Sequence, residues 1–67
     1  MIQLTLNGES HRFVAPLTCS ELLLSLGLAG KRVALERNGA IVPRSLHEST
    51  RLEEGDQLEM VVAVGGG

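Results

Sequence analysis

The 67-residue chain is 43% apolar, with a single aromatic residue, Phe13, a single cysteine, Cys19, and a formal net charge of −2. A domain this small buries only about 60% of its unfolded surface and has no second layer in which to sink a catalytic pocket, which argues against a self-contained enzyme. The longest apolar run near either end, Met60 to Val64, falls far short of the roughly 20 residues of a spanning helix, and without a basic footprint or stacking aromatics, nucleic acid is not expected as a partner.

In chain order, Ile2-Gln3-Leu4-Thr5-Leu6 alternates with Ile2, Leu4 and Leu6 on one face, and Asn7-Gly8 follows as a tight hairpin turn. The return segment, Glu9 to Ala15, places Phe13 in a second strand that Pro16 ends, because proline has no N–H for the ladder. Thr18-Cys19-Ser20-Glu21 fits a capping box that starts a helix of two to three turns. Gly27 or Gly30 ends it in the left-handed conformation, and Leu22 and Leu26 are assigned to the core.

Arg32 to Arg37 alternates again, with Val33 and Leu35 on one side and Ala34 and Glu36 on the other. Asn38-Gly39 is a second hairpin signal before a short strand, Ala40 to Val42, that Pro43 stops. Arg44 to Thr50 reads as an irregular crossover and Leu52 to Asp56 as a polar turn. The final strand, Gln57 to Val64, sets Leu58, Met60, Val62 and Val64 against Gln57, Glu59, Val61 and Ala63. Two hairpins flanking one helix, joined through a last strand parallel to the first, make an α+β domain of the ubiquitin-like β-grasp type, a mixed five-stranded sheet with the helix across one face. Residues 1–64 form this domain, and 65–67 are expected to be a flexible glycine tail.

Charge is uneven along the chain, net +1 through residue 35 and −3 beyond it, with the acidic excess between Glu48 and Glu59. That segment suits a basic protein partner. One cysteine forms no internal disulfide, no Cys/His group has metal-ligand spacing, and no leader pattern follows Met1, so a reducing, cytoplasmic setting is expected. His11 and His47 are read as surface residues without catalytic partners. Cys19 is placed in the capping segment, where it is read as a small structural residue rather than a relay thiol.

The chain ends Val64-Gly65-Gly66-Gly67. Glycines have no side chain to pack and lose the most backbone entropy on ordering, so this tail is expected to be thin and extended. It suits a channel too narrow for any Cβ, where Gly65 and Gly66 thread and the Gly67 carboxylate meets another protein's active site. A carboxylate becomes reactive toward amines or sulfur once an acyl-adenylate supplies a leaving group.

These features together resemble the family of sulfur carrier proteins of thiamin biosynthesis, ThiS. The carrying residues are Ile2 to Glu9, Thr18 to Leu26, Val33 to Ser45 with its Asn38-Gly39-Ala40-Ile41-Val42-Pro43-Arg44 run, Glu54 to Glu59, and Val61 to Gly67. The resemblance implies that Gly67 is adenylated by an ATP-using, ubiquitin-activating-like enzyme and converted to a thiocarboxylate with sulfur from a donor protein. Thiazole synthase would then take up the sulfur. It also implies that the chain binds no cofactor of its own, ATP being held by the activating enzyme. The family motif needs only two terminal glycines, so Gly65 stands outside it. The small subunit of molybdopterin synthase shares the plan and tail but is longer and more aromatic. The same fold would also serve a non-covalent β-grasp interaction module, whose tail is incidental, or a modifier conjugated to lysines.

On this fold the sheet face away from the helix presents Val61 and Ala63 beside Ala34 and Glu36. This patch is expected to dock both partner enzymes, with Glu53, Glu54 and Asp56 available for steering.

Overall fold

A computed structural model describes residues 1–63; the predicted end of the last strand at Val64 and the glycine tail 65–67 lie outside the described residues. Five strands, β1 (Ile2–Leu6), β2 (Glu9–Phe13), β3 (Val33–Arg37), β4 (Ala40–Ile41) and β5 (Gln57–Val62), form one sheet in the order β2-β1-β5-β3-β4. β1 and β5 are parallel and the other pairs are antiparallel. Helix α1 (Cys19–Ser25) lies between the hairpins in sequence, and a single 3-10 turn, Arg44–Leu46, occupies the crossover read as irregular. The β-grasp expectation is met in element order, strand pairing and direction.

The two Asn-Gly turns work as their chemistry requires. Asn7 and Gly8 have φ of 48° and 85°, and Asn38 and Gly39 have φ of 52° and 86°, the pair of left-handed residues that matches a hairpin's twist. Asn7 also extends the sheet. β1 pairs with β5 at only two positions, Thr5 with Gln57 and Leu6 with Leu58, before β1 ends. The Asn7 side-chain amide then stands in for a further residue of strand, since its Oδ1 accepts from the Met60 N–H (2.8 Å) and its Nδ2 donates to the Met60 carbonyl (3.2 Å). β2 stops at Phe13 rather than Ala15 because Phe13 pairs with Ile2, the first residue of β1, and no partner lies beyond it.

The capping box is present in both directions: Thr18 Oγ1 accepts from the Glu21 N–H (3.2 Å), and the Glu21 carboxylate accepts from the Thr18 N–H (2.8 Å). Thr18→Ala should destabilise the domain by about 1 kcal/mol. Thr18→Ser should be close to neutral, a contrast that urea denaturation resolves; equal losses in the two variants would place the effect outside the cap.

Leu4, Leu6, Leu17, Cys19, Leu22, Leu35, Leu52 and Leu58 form the core. Leu22 is fully buried as expected, whereas Leu26 is 38% exposed. The helix runs about two turns and left-handed Gly27, φ 73°, follows it, as expected; Leu26 is the C-cap, with φ −90° and ψ 1°, so the one-turn repeat from Leu22 no longer points at the sheet. Leu23 is the second buried helix leucine. Leu52, read as part of a polar turn, is 5% exposed. Its N–H donates to the Leu17 carbonyl (2.8 Å), Cys19 N–H to Thr50 (3.0 Å) and Ser20 N–H to His47 (3.0 Å). These bonds lace the crossover to the helix start and draw Leu52 inward.

Candidate functional site

The residues named for partner contact fall into two groups. In the first, Ala34 pairs with Val61 across β3 and β5, and Glu36 stands between Glu59 on β5 and Ile41 on β4. Side chains alternate across a sheet, and Leu35 and Leu58 fill the helix-covered side, so these residues share the open face. Ala34 and Ala63 are exposed, Val61 is 68% exposed, and Glu36 is half-buried. Ile41, 63% exposed, adds to this face and was not singled out from the sequence. The signal was present, because the two-residue Asn38-Gly39 loop pairs Arg37 with Ala40 and therefore Glu36 with Ile41.

The open face combines exposed apolar side chains with two carboxylates, Glu36 and Glu59, directly opposite one another. Like charges in that position oppose pairing by a few tenths of a kcal/mol. At its upper edge the Ala63 N–H donates to the Arg32 carbonyl (2.9 Å), which sets where the chain passes on toward Val64 and the glycines. Gly65, Gly66 and Gly67, the expected threading and reactive residues, lie outside the described residues.

The second group, Glu53, Glu54 and Asp56, lies at the opposite end of β5. Six residues of strand separate it from Ala63, or about 20 Å at roughly 3.3 Å per residue. Glu53 and Glu54 are exposed, with Glu54 Oε1 accepting from the Gln3 N–H (3.1 Å). Asp56 corrects the expectation of a free steering charge, because it is only 6% exposed. Its carboxylate accepts from Arg37 Nε (2.7 Å), Asn38 Nδ2 (3.0 Å) and the Glu53 N–H (2.8 Å). Burial works against its charge, but the Glu53 amide, the Asn38 amide and the Arg37 guanidinium together outweigh it and hold the carboxyl below the ordinary aspartate range. Arg37 also reaches Glu53 (3.4 Å). This cluster ties the second hairpin to the start of β5.

His47 is a second correction. It is buried, with its Nε2–H donating to the Val42 carbonyl (3.0 Å), because the crossover packs it beneath the helix start; His11 is exposed on β2. Cys19 is fully buried, and burial pushes its thiol above the ordinary range in spite of the nearby Arg37 charge. A buried thiol that resists ionisation is unsuited to sulfur relay. Among the described residues, no group of three or more His, Cys, Asp or Glu is placed to hold a metal ion, and no helix is long and apolar enough to cross a membrane.

Comparison with known proteins adds an independent line. The model of the ThiS family matches residues 4–67. The chain is 42% identical over 66 residues to a thiazole synthase of Paramagnetospirillum magneticum and 44% identical over 66 residues to one of Magnetococcus marinus. Each match covers 98% of this chain but only 20% of the relative, so the chain spans about a fifth of the length of these proteins. Protein ycf40 of Pyropia yezoensis is 38% identical, with 98% and 93% of the two chains covered. Among solved structures, the thiamine biosynthesis protein ThiS of Geobacter metallireducens superposes with a TM-score of 0.83 at 32% identity, covering 98% of this chain and all of the other. The solution structure of a thiamine biosynthesis protein from that organism gives 0.80 at the same identity, covering 98% of this chain and 88% of the other.

Proposed function

The chain belongs to the ThiS family, and from that premise we propose that it is a sulfur carrier of thiamine biosynthesis whose functional group is the Gly67 carboxylate. The observation that carries the reading is that the family match runs through residue 67 and so includes the terminal glycines. The solved neighbours named for thiamine biosynthesis favour this branch over the small subunit of molybdopterin synthase.

In this scheme the Gly67 carboxylate attacks the α-phosphorus of ATP on an activating enzyme, pyrophosphate leaves, and an acyl-adenylate forms. Sulfide (HS−) delivered by a donor protein then attacks the acyl carbon, the C–O bond to AMP breaks, AMP leaves with the electron pair, and loss of the sulfur-bound proton gives a thiocarboxylate. The chain needs no bound cofactor for this, and its part is recognition and delivery of the reacting carbonyl. Two relatives named thiazole synthase contain a region like this chain within a much longer protein, which supports thiazole synthase as the acceptor. The test is intact mass after incubation with ATP, the activating enzyme and a sulfur donor. The expected gain equals replacement of one oxygen by sulfur; its absence with the matched enzymes would overturn the assignment.

The open face around Val61, Ala34 and Ile41 serves as the docking surface in this reading. Val61→Asp puts an uncompensated carboxylate at the centre of a desolvated contact and should slow activation roughly tenfold or more. The melting curve should hardly change, since Val61 is largely exposed. Unchanged activation kinetics would remove the face from the interface.

A further inference from the structure

Between the α1–β3 connection and the 3-10 turn lies a cleft of about 610 Å³. Its floor is apolar, formed by Leu28, Val33 and Leu23, which is buried yet separate from the main core cluster. Lys31, Arg32 and Arg44 line it, all three exposed, with Glu48 as the one acidic residue beside them. Half of the chain's six Lys and Arg therefore gather at one cleft in a protein of net charge −2. Among the described residues the ion pairs belong to Arg37, so these three cations are not committed to carboxylates of the same domain.

Position gives the cluster its meaning. The Arg32 carbonyl accepts from the Ala63 N–H (2.9 Å), so the basic cleft borders the point where the chain passes toward its terminal glycines. Glu53 and Glu54 lie at the far end of β5. Charge is thus polarised along that strand, and the sign at its Ala63 end is positive, opposite to the acidic character of the segment singled out from the sequence.

We propose that this cleft receives an acidic segment of thiazole synthase, with an apolar side chain on the leucine and valine floor and carboxylates against Lys31, Arg32 and Arg44. The inference rests on the sulfur-carrier reading and specifies a docking surface at the Ala63 end of β5. A nucleic acid does not fit, because the cleft offers no Phe, Tyr or Trp for stacking, its one imidazole, His47, is buried and bonded to the Val42 carbonyl, and the protein as a whole is acidic. A protein segment bearing both carboxylates and an apolar residue matches rim and floor together. Charged rims act chiefly on the rate of encounter.

The experiment measures association of the full chain with thiazole synthase of the same organism by stopped flow, at low and high salt. The unaltered chain should associate more slowly as salt rises. Lys31→Glu combined with Arg32→Glu should lower the low-salt rate by about tenfold or more and invert the salt dependence, while Arg12→Glu, on β2 at the sheet edge away from β3, should stay close to the unaltered rate. All of these side chains are exposed, so matching melting curves are expected to verify folding. An unchanged rate in a folded Lys31→Glu/Arg32→Glu/Arg44→Glu variant would overturn the cleft assignment alone. Failure of the unaltered chain to bind thiazole synthase at all would overturn the carrier reading and this inference with it.

Discussion

Adding one alanine after Gly67 is expected to abolish the sulfur-dependent mass gain while leaving the melting curve of the domain in place. An extra residue moves the carboxylate by up to about 3.5 Å. Adenylate formation needs the attacking oxygen and phosphorus within about 3–3.5 Å and aligned, and a misplacement of only 1 Å can cost about a hundredfold in rate. In the proposed scheme the added Cβ and the displaced terminus act together in the activating enzyme's channel. Deleting Gly67 should have the same outcome for the opposite reason, because the carboxylate then falls short. Activation of the lengthened chain at the normal rate would remove Gly67 as the modified residue and favour a β-grasp module whose tail is incidental.

Asp56→Asn should produce a large loss of stability, about 2–4 kcal/mol. The substitution keeps the shape of a side chain that is 8% exposed but removes its charge and faces an amide N–H₂ toward the donors on Arg37, Asn38 or Glu53. For a domain of this size that corresponds to roughly 15–30 °C in melting temperature. The folded protein holds the Asp56 carboxyl below its ordinary value, so ionised Asp56 stabilises the fold at pH values above the ordinary aspartate pKa of about 3.9. That contribution is lost as pH falls through the folded value. Thermal melts across the acid range should show the unaltered chain losing stability below about pH 4, with a shallower slope in Asp56→Asn. Identical slopes would mean that another carboxyl governs acid unfolding.

Much of the fold was legible because its signals are local. Thr18 and Glu21 are three residues apart and cap each other without help from the rest of the chain. Asn7-Gly8 and Asn38-Gly39 adopt left-handed conformations that set hairpin register, and that register places Glu36 opposite Ile41. Alternation in the strands set Leu4 and Leu6, Leu35, and Leu58 on the strand faces that the fold buries. The site divides in the same way. Its open face follows from strand alternation, whereas the basic cleft is assembled from Leu23, Lys31, Arg32 and Arg44, which belong to separate segments.

What the sequence alone determined, then, was the order, type and pairing of elements, and the terminal glycines where the proposed chemistry resides, because capping, turn conformation and alternation depend on residues within a few positions of one another. Tertiary structure decided the fate of residues outside regular periodicity. Leu26, as the helix C-cap ahead of Gly27, stayed out of the core, while Leu52, His47 and Asp56 entered buried positions as the crossover and the β5 approach closed against α1 and the second hairpin. The location of charge along β5 was decided there too. Sequence distance put the acidic segment near the carboxyl terminus, but β5 runs its full length between them, and the antiparallel neighbour β3 brings Lys31 and Arg32 to the end of the strand from which the chain continues.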